Sequence, residues 1–579
     1  MNPRNLAAAA ALSLLVACAA PKQAGQTLTT LTFGDWSSFD PAYCYDTSCG
    51  EVLQNTLETL FFYDGSSPSK LVPLLAAEIP TLQNGGISAD GKTYRIKLNP
   101  QAKFSDGSSV TAQDVQYSLE RSLVYSAEGG PAALLLEPLM GRADLLRGAA
   151  ALSKVERTIE TQGTDTVIFN LAKPFAPFLE ILAGSWSSVY SKADAVKKGD
   201  WDGTSSTVLE FVNRLPSESV LKGGALGSAP FTLGRFDAGR TVILDRNDAY
   251  WRSKANLERV VIQSVNEENT RIQTLRTGDA QMVARGGVSS AQLETVRALP
   301  GITVSQSNSL GLYGLFMTQQ INSQGTGYLG SGKLDGQGIP FNFFSDINVR
   351  KGFAYAFDYD AFIKEVLQGN GVQTNTILVS GVPDGEAASS SLKYRLDPAK
   401  ATGFFRAAWK GAVWENGFVL PAFFNSGNTT RQRALEILRR GLLSINSKFK
   451  LEVREIAFSL LTAQSANNQL PLFMSGWGAD YADPHSFAQP FLASSGNYPL
   501  SMVYSNPSLD RLIDQAISST DSAQRSSLYR QIAQIGFDEV PTIPIYQPKD
   551  SYVQSDKVKG RTFNPMFSGD YFYPISLEN

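Results

Sequence analysis

Strand-like and helix-like hydrophobic patterns alternate irregularly along this chain of 579 residues, with no fixed-period repeat. Residues 93–98 alternate apolar and charged side chains, which is typical of a half-buried strand. Residues 433–445 instead place apolar side chains at helical spacing, as do 349–366, 508–518 and 522–537. Such alternation predicts an α/β protein with mixed sheets. At about 150 residues per domain, the chain is long enough for roughly four packed units.

Local signals mark where several of these elements begin and end. Thr111-Ala112-Gln113-Asp114 has the form of a capping box and predicts a helix start. Asp521 is a suitable N-cap for the helix at 522–537. Asp106-Gly107 indicates a turn. Pro541 and Pro544 end the preceding helix and predict an extended segment.

The N-terminus carries a short apolar run, residues 6–17, well below the ~20 residues that a membrane-spanning helix needs. We interpret residues 1–17 as a signal peptide. Leu15-Val16-Ala17-Cys18 resembles the lipobox of bacterial lipoproteins, which predicts acylation of Cys18 and membrane attachment through the acyl chains. The alternative is a plain signal peptide that happens to contain a cysteine. Residues 18–27 then form a polar tether, and no later segment has 18 consecutive apolar residues.

Two further cysteines, Cys44 and Cys49, lie five positions apart. An oxidising compartment permits them to form a disulfide. So short a loop would mainly stiffen the segment locally. The alternative interpretation is two buried thiols.

The charge balance and the rarity of histidine exclude several classes of function. Lys+Arg total 51 and Asp+Glu total 54, a net charge of −3, so we expect no nucleic-acid-binding surface. His485 is the only histidine and there are 3 Cys, which excludes most zinc sites and His-based catalytic triads. We therefore predict no metal, no cofactor and no catalytic residues, and interpret His485 as an ordinary loop residue.

One stretch resembles nucleotide-binding motifs without meeting their physical requirements. Residues 325–330 fit GxGxxG, but the glycine-rich residues 331–338 that follow cannot begin the helix that such a site needs. The same stretch nearly fits a P-loop, yet Leu334 stands where Ser or Thr should bind Mg²⁺. A flexible loop explains both matches better.

Short motifs occur in a consistent order along nearly the whole chain. They are Ser38-Phe39-Asp40-Pro41-Ala42, residues 50–65, 71–76, 104–107, 110–115 and 227–231, Asn247 with Tyr250-Trp251, residues 349–358, and Pro541-Thr542-Ile543-Pro544. Each is weak alone, but the ordered set resembles the bacterial extracellular solute-binding proteins of family 5, the dipeptide- and oligopeptide-binding components of ABC importers. Most of these motifs also have plain structural explanations, and they say nothing about the substrate.

The resemblance implies an α/β, two-lobed periplasmic-binding-protein fold (class II, cluster C type) that closes over a ligand by hinge bending. Lobe one is expected to be discontinuous, at 28–58, 187–302 and 541–579, with an extra subdomain at 59–186. Lobe two is expected at 303–540. The implied function is a non-enzymatic receptor that captures peptides and delivers them to an ABC permease and its ATPase subunits. The protein is expected to be a monomer in the periplasm or at the cell surface, lipid-anchored to a bacterial membrane.

The resemblance also places the ligand beside Gly476-Trp477-Gly478-Ala479-Asp480-Tyr481. Peptide-binding members have an aspartate at the position of Asp480, which pairs with the α-ammonium group of the peptide. Trp477 and Tyr481 are expected to form flat apolar walls, and the peptide backbone can be held by strand addition. The predicted ligand-binding residues are Asp480, Trp477, Gly478, Ala479, Tyr481, Tyr45 and Asp46.

Several alternatives stay open at this stage. Asp480 could merely cap the turn before Asp483-Pro484. Met474 stands where one branch of the family has an arginine for the peptide carboxylate, and residues 424–428 lack the arginine of another branch, so that anchor is unassigned. An oligosaccharide or an opine is the second candidate ligand. A secreted hydrolase that uses Asp480 and Asp483 is the least favoured hypothesis. A glycosidase needs its two acids on opposite sides of the sugar, and two residues three positions apart in a turn with Pro484 are poorly placed for that.

Overall fold

The computed structural model describes residues 26–34, 36–127, 130–141, 146–212, 214–385 and 391–578. The predicted signal peptide of residues 1–17 and the predicted lipidation site Cys18 lie outside these residues, as does most of the 18–27 tether. Among the described residues, no helix combines the length and the apolar character needed to cross a membrane.

Nineteen strands are present in the described part of the chain. They are β1 Thr27–Thr32, β2 Phe61–Tyr63, β3 Leu71–Pro73, β4 Thr93–Lys97, β5 Ile159–Gln162, β6 Thr166–Asn170, β7 Phe231–Asp237, β8 Thr241–Arg246, β9 Arg259–Ser264, β10 Met282–Val283, β11 Ile302–Asn308, β12 Gly311–Met317, β13 Gly371–Gln373, β14 Phe418–Asn425, β15 Phe449–Ile456, β16 Leu472–Gly478, β17 Thr542–Ser555, β18 Val558–Lys559 and β19 Ser576–Leu577. Twelve of them form one mixed sheet in the order β15-β14-β16-β12-β17-β10-β1-β9-β8-β7, with β11 and β13 also paired to β17.

The long strand β17 belongs to both halves of this sheet. Its residues 542–548 pair with β12 and β13, and residues 549–555 pair with β11 and, in part, with β10. The chain makes a second passage between the halves at 308–311, where β11 gives way to β12. Both changes of partner lie C-terminal to the lobe junctions predicted at 302/303 and 540/541; those domain boundaries stay predictions.

Helices cover both faces of the sheet. They are Thr47–Thr56, Ala112–Tyr125, Ala132–Met140, Ala149–Val155, Phe178–Ile181, Lys192–Lys197, Glu268–Thr277, Leu293–Arg297, Ile347–Ala356, Tyr359–Ala361, Pro398–Ala407, Ala412–Asn416, Thr429–Ile445, Phe458–Ala466, His485–Leu492, Asn497–Met502, Pro507–Ser518 and Ser522–Glu539. Short 3₁₀ turns include Ser185–Ser187. The helices predicted at 433–445, 508–518 and 522–537 are confirmed, as are the strand at 93–98, the capping box from Thr111 to Asp114 and the Asp521 cap.

The single helix predicted at 349–366 is wrong, because the chain breaks in its middle. Helix Ile347–Ala356 ends before Phe357 and Asp358, which are both extended. The Asp358 carboxylate then accepts a hydrogen bond from the backbone N–H of Ala361 and starts a new helical turn, followed by a π turn at Phe362–Val366. The apolar spacing is similar on both sides of the break, so hydrophobic periodicity alone did not reveal it.

Separate apolar cores support the parts of the molecule. One core draws on residues 28–282 and again on 558–575, so the two ends of the described chain pack together. A second core, mostly from residues 60–189, lies around the small sheet β4-β6-β5. Two more lie on the faces of the β12-to-β16 half. This is a two-lobed arrangement in which the first lobe carries an additional unit.

The motif Ser38 to Ala42 serves the interior of the first lobe. The Arg121 guanidinium donates two hydrogen bonds of 2.7 Å to the Asp40 carboxylate, and its Nε lies 2.7 Å from Asp200. All three side chains are buried. Arg121 and the hydrogen bond from Ser219 hold the pKa of Asp40 below its usual value against the opposing effect of burial. A charged triad so fully enclosed is structural.

Candidate ligand-binding site

A cavity of about 350 Å³ lies between the two halves of the large sheet. The first half contributes the segment 45–47 and the segment 565–568. The second half contributes residues 478–480 at the end of β16. The passages between the halves, at 309–311 and at Pro548 and Asp550, line it as well. A cavity so placed changes shape whenever the two halves move relative to each other.

Asp480 lies two residues beyond the end of β16, and its side chain is partly buried in this cavity. Its backbone N–H donates to Oγ of Ser486 at 3.0 Å, which fixes the loop. Its Oδ1 accepts a hydrogen bond of 2.7 Å from the hydroxyl of Tyr45, a residue of the other half. Loss of water around the carboxylate raises the pKa of Asp480 to about 6, although the Tyr45 hydrogen bond acts in the opposite direction. Oδ2 has no hydrogen-bond partner among the described residues.

The turn after Asp480 is held by other groups. Asp483 accepts the backbone N–H of His485 at 2.9 Å and pairs with Arg525 through both carboxylate oxygens, at 3.0 and 2.8 Å. Pro484 is the N-cap of the helix that follows, Asp483 binds the first N–H of that helix, and the Asp480 carboxylate accepts no hydrogen bond from the turn among the described residues. Since Asp483 is engaged by Arg525, the pair Asp480 and Asp483 does not face a common substrate position.

His485 is wrongly predicted as a loop residue, because it begins the helix His485–Leu492 and is buried. Its Nδ1 lies 2.8 Å from the hydroxyl of Tyr481. Burial, together with Lys173 and Arg525, lowers the pKa of His485 to about 3, so the ring is neutral. It is a packed interior group.

Tyr45 and Asp46 line the cavity from a turn closed by the disulfide between Cys44 and Cys49. The Asp46 carboxylate accepts the backbone N–H of Cys49 at 2.9 Å and caps the helix Thr47–Thr56. The Tyr45 ring packs edge-on against Trp186, with centroids 6.2 Å apart. Disulfide, cap and ring contact together fix the direction of the Tyr45 hydroxyl.

Most of the aromatic residues that line the cavity lie outside the sequence motif around Asp480. Tyr481 is 4% exposed and lies in the core of the additional unit, and Trp477 packs against the core on one face of the second half. Neither lines the cavity, contrary to the prediction; alternation along β16 turns Trp477 away while Gly478 faces it. The aromatic lining instead comes from the first half through Phe62, Tyr63, Trp186, Phe567 and Tyr571, and from the second half through Tyr313 on β12.

Phe62 stacks on Phe567 with ring centroids 5.1 Å apart and contacts Tyr571 at 4.7 Å. Phe62 lies within the family motif at 50–65, which is the sequence feature that could have indicated it as a cavity residue. Trp186, Phe567 and Tyr571 are far from it in sequence.

Three more ionisable side chains line the cavity: Glu58, Arg285 and Asp550. Glu58 is buried, and it accepts hydrogen bonds from the Tyr250 hydroxyl at 2.7 Å and the Trp251 indole N–H at 2.8 Å. Burial raises the pKa of Glu58 despite these donors. The motif Tyr250-Trp251 is thus explained by its contact with Glu58.

Nothing in the described residues groups three or more His, Cys, Asp or Glu side chains in a way that could hold a metal ion. The cavity combines aromatic surface, a carboxylate with an open oxygen and a single cation. It can enclose a small polar molecule and orient it by charge.

A cavity between two lobes joined through the long strand β17 is the arrangement of a protein that binds a solute by closing over it. Residues 70–499 match the family described as bacterial extracellular solute-binding proteins, family 5 Middle. The chain belongs to this family.

Characterised relatives cover nearly the full chain. The chain is 26% identical to the probable D,D-dipeptide-binding periplasmic protein DdpA of Escherichia coli (strain K12) over 92% of this chain and 90% of that protein. It is 24% identical to heme-binding protein A of Haemophilus influenzae over 92% of this chain and 88% of that protein. The structure of DppA from Helicobacter pylori in complex with the peptide STSA superposes with a TM-score of 0.71 at 22% identity, covering 96% of this chain and 98% of that one.

Proposed function

We propose that this protein captures peptides in the cavity between its lobes and delivers them to an ABC permease. The observation that carries the proposal is the Asp480 carboxylate, which is held from one lobe, hydrogen-bonded by Tyr45 of the other and left with one open oxygen. The names of similar proteins, among them DdpA and DppE, a dipeptide-binding protein of Bacillus subtilis, support a peptide as the ligand.

The α-ammonium group of a peptide suits this position. Two unit charges ~4 Å apart attract by ~1 kcal/mol in water, but by ~4 kcal/mol at an effective dielectric of 20. The Asp480 carboxylate is partly buried in the cavity, and this loss of water raises its pKa, so the dielectric around it is lower than that of bulk water. An ammonium group that donates to Oδ2 while Tyr45 donates to Oδ1 would satisfy both carboxylate oxygens.

Transport requires that binding draws the two lobes together. The Tyr45 hydroxyl and Asp480 come from different lobes and meet at 2.7 Å, so a ligand amine at Asp480 is enclosed from both sides. The aromatic rings of the first lobe accept varied side chains because their surface is apolar and flat.

The remaining parts of the proposal follow from family membership and from the N-terminal sequence. The protein acts as a monomer without chemical turnover, and its partners are the permease and ATPase subunits of an importer. Cleavage after Ala17 and acylation of Cys18 anchor it in the periplasm or at the cell surface. Mass measurement of the N-terminal peptide before and after alkaline deacylation tests the anchor.

Calorimetric titration of Asp480→Asn tests the ligand class. The substitution removes the charge and keeps an oxygen that accepts from Tyr45. We expect peptide affinity to fall about 100- to 1000-fold, since the lost attraction is ~3–4 kcal/mol. Asp335→Asn, an exposed carboxylate outside the cavity, is the matched control and should bind as the native protein does.

The same titration separates the alternatives. An oligosaccharide ligand, which aromatic walls also suit, would lose little affinity in Asp480→Asn. Native protein that binds no peptide from a mixture, while retaining another solute through purification, would refute the proposal. Recovery of every peptide intact after incubation is expected; cleavage would indicate a hydrolase.

A further inference from the structure

The ionisable groups around the cavity are not equally engaged. Asp46 caps a helix, and Glu58 is occupied by two aromatic donors. The acidic and basic side chains that remain for a ligand are Asp480, Arg285 and Asp550. Arg285 is the one cationic side chain that the described residues contribute to the cavity lining.

Arg285 is placed by the central sheet. It follows β10, which pairs antiparallel with β17, and the chain then turns at Gly286, whose φ of +72° favours glycine. This turn carries the guanidinium group to the strand that joins the two lobes. The side chain is 22% exposed, so it is enclosed without being cut off from the cavity.

The contacts of the Arg285 guanidinium within the protein are long. Nη1 lies 3.4 Å from the carbonyl oxygen of Pro565 and 3.7 Å from Oδ2 of Asp550. The Tyr552 side chain also interacts with the guanidinium group, but it brings no negative charge and leaves other N–H donors for a ligand. A guanidinium group has five N–H donors in a planar fork, and its strongest partner is a carboxylate bound through two of them at 2.7–2.9 Å. Asp550 at 3.7 Å orients Arg285 without meeting that geometry. Burial opposes the charge, but Asp550 and Tyr552 keep the pKa of Arg285 above its usual value, so the group stays cationic.

Charges of opposite sign therefore face one enclosed volume from two sides. Asp480 comes from the second lobe and Arg285 from the first. The space open to the centre of a water molecule is about 350 Å³, ~9 Å across if it is compact, and the radius of the molecule at each end brings the usable span to ~12 Å. Extended peptides measure at most ~7 Å for two residues, ~10 Å for three and ~14 Å for four.

We infer that Arg285 binds the free C-terminal carboxylate of the ligand, and that the ligand is a di- or tripeptide with both termini free. This inference rests on the proposed function. It assigns the carboxylate anchor that the sequence left open at Met474 and at residues 424–428. Specificity for length then follows from two charged anchors whose separation the closed lobes fix.

The test compares peptide acids with their C-terminal amides. A panel of di-, tri- and tetrapeptides is screened by thermal shift, and the tightest binder and its amide are then titrated calorimetrically into native protein, Arg285→Gln and Arg285→Lys. Arg235→Gln, which alters an arginine exposed on β7, is the matched control.

We expect native protein to prefer the free acid over the amide by about 10- to 100-fold, the cost of losing a charge-assisted pair. Arg285→Gln should abolish this preference by weakening acid binding while amide binding is unchanged. Arg285→Lys should retain part of it, because charge remains but the planar fork is lost. Tetrapeptides should bind more weakly than the shorter peptides.

Other results overturn the inference in distinct ways. Equal affinity of native protein for acid and amide excludes a carboxylate anchor, and a preference that survives in Arg285→Gln excludes Arg285. In both cases the effect of Asp480→Asn on amine recognition persists, so the proposed function stands. Native protein that binds none of the peptides refutes the proposed function itself. If Arg285→Gln fails to fold, the double variant R285Q/D550N removes the unpaired carboxylate and is titrated in its place.

Discussion

Peptide affinity should depend on pH through Asp480. With the cavity free of ligand, the pKa of Asp480 is about 6. An ammonium group worth ~4 kcal/mol of attraction would lower it by roughly three units in the complex, at 1.36 kcal/mol per unit. Binding then favours the ionised carboxylate, so affinity reaches its plateau above pH ~7 and is lost as the pH falls through ~6.

The magnitude follows from the fraction of protein that is protonated. Relative to its plateau, affinity should be about 2-fold weaker at pH 6, about 11-fold weaker at pH 5 and about 100-fold weaker at pH 4. The loss should level off near pH 3, where the carboxylate protonates in the complex as well. Above pH ~8 affinity should fall again, because the α-amino group of the peptide loses its proton there.

Calorimetric titration between pH 4 and pH 9 at constant ionic strength measures this profile. Glu58 and Asp550 line the same cavity and burial raises the pKa of both, so Asp480→Asn is the reference that isolates Asp480. Its affinity should be low and nearly independent of pH between 5 and 7. Tyr45→Phe removes the hydrogen bond that lowers the pKa of Asp480, so its midpoint should move to higher pH.

A flat profile for the native protein between pH 7 and pH 5 would refute the assignment of Asp480 as the ammonium partner. So would an equally steep profile in Asp480→Asn, since another group would then be titrating.

Two further predictions concern the stability of the fold. Arg121→Met leaves two buried carboxylates without their cation and should lower the free energy of unfolding by ~3–5 kcal/mol. Arg259→Met, at a largely exposed ion pair, should change it by less than ~1 kcal/mol. Urea unfolding measures both values, and equal effects would contradict the argument from burial. Burial and the neighbouring Asp570 raise the pKa of Glu51 from 4.5 to about 8, so native stability should decline between those pH values by up to ~1.4 kcal/mol per unit. Glu51→Gln should remove this decline. The argument is contradicted if the free energy of unfolding of Glu51→Gln falls between pH 5 and pH 8 as much as that of the native protein.

The elements that the sequence predicted well are those decided by local chemistry. The capping box at Thr111 and the N-cap Asp521 rest on hydrogen bonds between residues three positions apart, so they are visible in the sequence. The break at Asp358 was missed although it is equally local, because the apolar residues on either side continue the same spacing. Capping residues within a long pattern deserve the same weight as its periodicity.

The site was only partly predictable, for a reason of topology. Asp480 was identified from a motif carried by one loop, and residues 478–480 do line the cavity. Trp477 and Tyr481 belong to the same motif but pack into cores on either side of it. Proximity in sequence to a residue of the cavity did not distinguish residues of the cavity wall from residues of the interior.

Arg285 lies far from Asp480 along the chain and within no recognised motif. It reaches the cavity because β10 pairs with the same strand, β17, that pairs with β12 in the other lobe. Asp550, on β17 itself, then directs the guanidinium group. Since β17 crosses between the lobes beside this ion pair, a ligand carboxylate at Arg285 would be held next to the strand on which the lobes bend. If Arg285 anchors the carboxylate as we infer, ligand length and lobe closure would be coupled, because a peptide would have to reach from this crossing to Asp480 before Tyr45 and Asp480 could enclose its amine.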